Sequence, residues 1–242
     1  IERTCVVLST LEQTTEARNA SFAYMVNATL KAQGHKEAPA VSGLLPAIYD
    51  TAFVNTKIPL DALAQGIADT QSARLCFYGP SGTGKTAYAH WLSNVLDKPL
   101  LVKRASDLLG KYVGETEKNI AQAFSQAQQE NAVLLIDEVD SFLQERLLAK
   151  QHWQVSIVNE MLTCMESFEG VFIASTNLMG DIDAAALRRF DLKLEFGYLT
   201  TLQTQQLFQR YCQELGLAGD TKAGARVKSL QHLTPGDFAA VA

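Results

Sequence analysis

Two patterns of apolar residues alternate along the chain. Short continuous apolar runs read as buried strands, and longer stretches with apolar residues at helical spacing read as helices. The strands fall at 75–78, 98–103, 132–136, 171–175 and 192–196. Between them, Ala89, Trp91, Leu92, Val95 and Leu96 mark a helix starting near Lys85, and Ile120, Ala123, Phe124 and Ala127 mark one face of a helix over 115–129. A further helix is expected over 153–168. Ahead of the first strand, Leu60, Leu63, Ile67 and Ala68 predict a helix within 58–73. Strands that are apolar throughout and alternate with helices indicate an α/β fold, with a parallel sheet covered on both faces.

The two ends differ from this middle. Residues 1–33 carry Phe22, Met25, Val26, Ala28 and Leu30 at helical spacing, and 34–46 are rich in breakers and read as a linker. Residues 202–215 and 235–242 are helical with no strand between them, as expected for the start of a separate helical lid. The chain begins at Ile1 and stops at Ala242 inside an apolar pattern, so it reads as an excerpt of a longer protein.

The turn after the first strand carries the chemistry. Gly79-Pro80-Ser81-Gly82-Thr83-Gly84-Lys85-Thr86 fits G-x-x-x-x-G-K-[ST], the phosphate-binding P-loop, between a strand and a helix as that motif requires. Glycines let the backbone wrap a pyrophosphate with its N–H groups, and the helix N-terminus adds its positive dipole end. Lys85 is expected to reach the β- and γ-phosphates of ATP, with Ala87 next in the loop-to-helix run and the Thr86 hydroxyl on Mg²⁺.

Two more strand ends suit the same reaction, and a helix end and a loop carry further candidate residues. Val133-Leu134-Leu135-Ile136-Asp137-Glu138 ends a buried strand in two carboxylates, the Walker B pattern. Asp137 is expected on Mg²⁺, directly or through water, and Glu138 as the base that polarises the attacking water. An acidic helix cap is the plain alternative. Asn177 ends the next strand, where its amide could orient the water or simply serve a turn. Arg188 and Arg189 are either a basic helix cap or charge donors to a phosphate. Lys111-Tyr112-Val113 lies between Gly110 and Gly114, so the aromatic is either a core residue at a helix start or a partner-facing group.

Composition narrows the picture. A net charge of −5 gives no basic footprint for nucleic acid, and no apolar run reaches membrane-span length. Residues 1–25 lack a signal-peptide pattern. Cys5, Cys76, Cys164 and Cys212 form no C-x-x-C and read as free core thiols in a reducing, cytoplasmic compartment. His35, His90, His152 and His232 have no metal-ligand spacing and read as structural or surface groups.

With these motifs in this order, the stretch from about 50 to 242 resembles the AAA ATPases in the narrow sense, most of all their meiotic clade, which includes spastin and katanin. The resemblance implies a P-loop NTPase with a five-stranded sheet of order 5-1-4-3-2 and a C-terminal helical lid. It implies a large nucleotide-binding domain over 46–197 and the start of the lid over 198–242, and it leaves the N-terminal helical segment and linker over 1–45 unassigned. It implies a self-associating ring, usually a hexamer, that binds ATP between subunits and works on a polypeptide. Asn177 becomes sensor 1, and Arg188 and Arg189 become fingers reaching a neighbour's nucleotide. The finger run lacks the Pro-Gly of many members, which leaves open which arginine leads. Tyr112, flanked by Lys111 and Val113, becomes a pore-loop grip, and Gly236 and Asp237 match the lid position near adenine and ribose. The expected function is an ATP-hydrolysing motor that remodels or threads protein. The alternatives are a DNA-associated loader or helper ATPase, which should show basic pore residues, and a nucleotide-gated scaffold, which should lack the catalytic set.

Overall fold

The computed structural model describes residues 49–141, 143, 152–214, 227–228 and 230–240. The helices expected over 1–33 and the linker expected over 34–46 lie outside the described residues. Five strands, β1 (Ala73–Tyr78), β2 (Leu100–Arg104), β3 (Val133–Asp137), β4 (Val171–Thr176) and β5 (Leu192–Glu195), form one sheet of order β2-β3-β4-β1-β5. Read from the other edge this is the expected 5-1-4-3-2. Every neighbouring pair is parallel.

Parallel neighbours need crossover connections, and the helices supply them. They are α1 (Leu60–Thr70), α2 (Lys85–Val95), α3 (Ala105–Leu108), α4 (Glu115–Gln129), α5 (His152–Ser167), α6 (Ala184–Leu187), α7 (Thr201–Glu214) and α8 (Pro235–Ala239). Successive strand residues point to opposite faces, so each all-apolar strand feeds two cores. Leu75, Phe77, Val133, Leu135, Val171 and Ile173 pack with α1 and α2 through Ile67, Tyr88 and Leu92. Cys76, Leu134, Ile136, Phe172 and Ala174 pack on the other face with Ile120, Phe124, Ile157 and Met161. At about 1.5–3 kcal/mol per fully buried large aliphatic side chain, β3 alone makes a large contribution to holding the sheet.

The boundaries shift for physical reasons. β1 starts at Ala73, because the Arg74 backbone is held on both sides: its N–H by the Asp191 carboxylate at 2.8 Å, its carbonyl by the Asp191 N–H at 2.8 Å. The expected strand at 98 begins only at Leu100, after Pro99, which has no N–H for a ladder. α8 runs over Pro235–Ala239, within the predicted 235–242, of which 241–242 lie outside the described residues. α3 was not predicted. It is a single turn closed by the Asp107 carboxylate accepting from the Arg104 N–H at 2.9 Å. A third cluster joins Leu199, Leu207 and Tyr211 to Phe53, Leu233 and Phe238, so α7 and α8 share a small core of their own.

Cys76 is a buried core thiol, pushed up to about 12 by burial. Cys164 and Cys212 are only partly buried, which corrects the expectation of core thiols for those two, while Cys5 lies outside the described residues. All three described cysteines are free. Among the described residues no helix is long and apolar enough to cross a membrane.

Candidate functional site

The carboxyl ends of β1, β3 and β4 converge on one cleft of ≈ 300 Å³. Open α/β sheets place ligands at this edge. The 79–84 turn follows β1, with Gly79, Gly82 and Gly84 at φ 137°, 78° and 98°. Two of these glycines are required by close approach as well. A Cβ on Gly79 would stand 2.1 Å from the Phe196 carbonyl oxygen, and one on Gly82 would stand 2.7 Å from Thr234 Oγ1. Thr83 is buried and donates to the Pro80 carbonyl at 2.8 Å, which rounds the loop. Gly84 precedes α2 without a side-chain cap, so the first N–H groups of that helix are left for a ligand.

Lys85 opens α2 and is buried. Its Nζ donates to the carbonyls of Gly79 at 2.7 Å and Pro80 at 2.8 Å, and to Asn177 Oδ1 at 2.9 Å. Three oxygen acceptors around one nitrogen fit only the ammonium form, and they also fix which end of the Asn177 amide faces it. Burial lowers the lysine from its ordinary range, with Asp137 opposing. Thr86 Oγ1 donates to Asp137 Oδ2 at 3.3 Å. Asp137 Oδ1 accepts from Ser175 Oγ and, at 3.0 Å, from the Glu138 N–H. Glu138 has a left-handed backbone at φ 60°, unusual for a residue with a side chain, and it lines the cleft.

The sequence-predicted residues thus divide. Ser81, Gly82, Gly84, Lys85, Thr86, Ala87, Asp137, Glu138, Asn177 and Gly236 all line the cleft. Gly236 also donates its N–H to the Gly82 carbonyl at 3.0 Å, tying the start of α8 to the turn. Asp237 is turned elsewhere: its carboxylate accepts from the Thr234 N–H and hydroxyl, both at 2.8 Å, and closes the capping box of α8. Arg188 and Arg189 lie away from the cleft lining, on the turn after α6. Tyr112 is 70 % exposed and Val113 87 %, so neither is a core residue. Their loop is braced from behind, with Glu115 Oε2 accepting from the N–H groups of Lys111 at 2.8 Å and Tyr112 at 3.2 Å. Glycine is needed at 110, where a Cβ would stand 2.4 Å from that of Glu115.

Sequence reasoning missed one wall. Tyr49, Phe53, Val54, Leu207 and Tyr211 make the other end of the cleft apolar. Arg210 joins α7 to this wall, pairing with Asp50 at 3.0 Å and lying 5.7 Å over the Phe53 ring. The available signal was Asp50 as an N-cap between two aromatics, and its side chain does accept from Ala52 N. One end lined by a buried ammonium and unpaired helix N–H groups, the other by aromatic rings, suits a ligand that is anionic at one end and flat and apolar at the other.

Residues 75–198 match the model of the family described as "ATPase family associated with various cellular activities (AAA)". The chain belongs to the AAA ATPase family. This AAA chain is 31% identical over 169 residues to the nuclear valosin-containing protein-like of Mus musculus, covering 66% of this chain and 19% of that protein. It is 30% identical over 204 residues to spastin of Drosophila mojavensis, covering 81% of this chain and 25% of that one. It is 30% identical over 167 residues to the cell division cycle protein 48 homolog of Archaeoglobus fulgidus, covering 66% and 22%. The AAA chain therefore spans a quarter or less of the length of these relatives.

The donor set fits the Mg²⁺ and ATP that an AAA domain implies. Mg²⁺ prefers oxygen ligands and keeps water and substrate phosphate in its shell, so it needs few protein groups. The Thr86 hydroxyl and Asp137 carboxylate provide those, and among the described residues no cluster of three or more His, Cys, Asp or Glu competes for a metal.

Proposed function

We propose that this chain is the ATP-hydrolysing module of a ring-forming motor that grips a polypeptide in its central pore. The carrying observation is the exposed Tyr112–Val113 pair on a loop braced by Glu115, in the same domain as an ATPase site. Two large apolar side chains held rigidly in water need a partner, and an extended polypeptide offers apolar surface at regular spacing.

In this reading the triphosphate of ATP lies along 79–86, with its base toward Phe53 and Tyr211. Mg²⁺, held by Thr86 and Asp137, supplies charge neutralisation on the phosphate oxygens. Lys85 exchanges protein oxygens for phosphate oxygens. Glu138, aimed into the cleft by its left-handed backbone, takes a proton from the attacking water, and Asn177 orients that water. Asp137 is fixed in place because the Ser175 hydroxyl and the Glu138 N–H both donate to it. The remaining positive charge comes from an arginine of the next subunit. α7 and α8 begin the lid, and the N–H of Gly236 on the Gly82 carbonyl links it to the phosphate turn.

A mixing experiment tests the ring. Lys85→Ala protein cannot hold nucleotide but carries intact arginines. An Arg188→Ala/Arg189→Ala double variant has the opposite defect. Each alone should be nearly inactive, and mixing should restore ATPase activity at mixed interfaces. No recovery in a mixture shown by light scattering to assemble would overturn the reading.

A further inference from the structure

The ladder between β3 and β4 stops at Ile136 and Ala174. Glu138 and Asn177 both lie beyond that end. There, two side-chain bonds join the segments that carry them. Ser175 Oγ donates to Asp137 Oδ1, and Thr176 Oγ1 donates to Asp140 Oδ1 at 2.8 Å. The first bond serves a carboxylate that lines the cleft. The second joins two residues that do not line it.

A buried hydroxyl bonded to a carboxylate is ordinary by itself. This one is distinguished by what lies on either side of it. Thr176 is 1% exposed, and its hydroxyl also accepts from the Leu178 N–H at 2.9 Å. The β1 ladder holds Thr176 opposite Tyr78, so the backbone is fixed both before and after Asn177. Asp140 is half-buried on the turn Val139–Ser141, which follows Glu138 directly. In that turn Val139 is fully buried, and the Ser141 N–H donates to the Glu138 carbonyl at 3.2 Å. Glu138 itself has the left-handed φ of 60°, a conformation that persists only where the surroundings hold it. The Thr176–Asp140 bond therefore ties the turn after Glu138 to the strand end before Asn177.

We propose that Thr176 and Asp140 are a positioning pair for ATP hydrolysis. Their bond sets the separation between the Glu138 carboxylate and the Asn177 amide, so that both act on one water. The proposal rests on the roles given above to Glu138 and Asn177, and adds to them two residues outside the cleft lining.

The test combines ATPase kinetics, affinity for a non-hydrolysable ATP analogue and thermal unfolding on full-chain variants, with rates taken well below the unfolding temperature. Thr176→Val keeps the shape and loses the hydroxyl. It should lower kcat by about 10- to 10²-fold, the scale of a small misplacement, with affinity for the analogue unchanged. Thr176→Ser keeps the hydroxyl and should recover most of the loss. Asp140→Ala should match Thr176→Val, and it carries the same test should Thr176→Val not fold. Asp140→Asn, whose amide oxygen still accepts, should recover most of the loss. The double variant Thr176→Val/Asp140→Ala should be no worse than the worse single, since both break one bond. If Thr176→Val and Asp140→Ala lower only the unfolding temperature, the bond is structural and the proposal fails. If they weaken analogue affinity as much as they lower kcat, the bond shapes the nucleotide site as a whole, and the proposal also fails. If Thr176→Ser is as slow as Thr176→Val, the hydroxyl is not the group that matters, with the same result. Glu138→Gln and Asn177→Ala run beside these variants. If both hydrolyse ATP at the parent rate, the roles of Glu138 and Asn177 fall and the pair falls with them. If both are slow while Thr176→Val and Asp140→Ala are not, the pair alone is overturned.

Discussion

The Lys85 ammonium stands 2.9 Å from Asn177 Oδ1, joining the first turn of α2 to the residue after β4. With the Gly79 and Pro80 carbonyls, this contact occupies all three N–H donors of the lysine. A phosphate reaches Lys85 only by displacing some of these partners. Asn177 therefore stands where an incoming phosphate would compete for the lysine, and in the proposed mechanism it also orients the attacking water.

Asn177→Ala separates these roles. Affinity for a non-hydrolysable ATP analogue should hold or tighten, by at most about 1.5 kcal/mol, the scale of one hydrogen bond to a charged group. Turnover should fall by roughly 10²-fold, the scale of losing one positioned polar group at the reacting centre. Calorimetry and ATPase assays check the two halves. Markedly weaker binding would mean that Asn177 supports the phosphate site and does not compete with it.

Glu138 offers a second separation. Its φ of 60° suits glycine and costs a residue with a side chain on the order of 1–2 kcal/mol. Glu138→Gly should relieve that strain, less what glycine loses in chain entropy, for a net gain near 0.5–1 kcal/mol. Glu138→Gln keeps the strain and should leave stability unchanged. Both should lose hydrolysis, since neither side chain can take a proton. Denaturant unfolding beside ATPase rates is the measurement, and equal stability of the two variants would deny that strain is stored at this turn.

Most of the fold was legible because its strands bury both faces. Val133 to Ile136 are all apolar and all fully buried, and such runs leave little choice of element. The end of the cleft around Lys85 was legible too, because Lys85 and Thr86 open the helix after β1 and Asp137 and Asn177 sit at the ends of β3 and β4, all at positions that motif spacing predicts. The aromatic wall was not. Phe53 and Tyr211 are far apart in sequence and meet only through packing, and no local period announces such a contact. The exposure of Tyr112 was equally out of reach, since an apolar pair between glycines fits a core or a surface. What decides it is Glu115 bonding the loop's N–H groups from the start of α4.

Asp191 should make stability depend on acid. Burial pushes its carboxyl up, but the hydrogen bonds from Arg74 outweigh this and hold it below its ordinary 3.8. A depressed folded-state value means that the ionised form is favoured in the native protein. Its stabilisation is present above the unfolded value and is lost as pH falls through the lower, folded one. Asp191→Asn should therefore be less stable than the parent above the ordinary carboxylate range, with the gap closing as pH falls below that range. Denaturant titrations across this range check it, and a gap independent of pH would show that Asp191 acts through packing alone.

The pore-loop reading is tested by a pair of variants, one in the aromatic ring and one in the carboxylate that holds its loop. Tyr112 is exposed at the loop tip, so Tyr112→Ala should change stability by less than about 0.5 kcal/mol. Basal ATPase should persist, because the ring touches nothing in the cleft lining. Stimulation of ATPase by an unfolded polypeptide should disappear. Glu115 acts on the loop through its backbone: it holds the N–H groups of Lys111 and Tyr112 and carries negative charge in the first turn of α4. Glu115→Ala frees both N–H groups and removes a favourable dipole partner worth about 0.3–1 kcal/mol. It should reproduce the loss of stimulation while Tyr112 is still present, because a loop that must be ordered on each contact loses that entropy from its grip. Stimulation retained in Tyr112→Ala would remove the aromatic from the grip. Stimulation lost in Tyr112→Ala but intact in Glu115→Ala would mean that the loop needs its ring and not its rigidity.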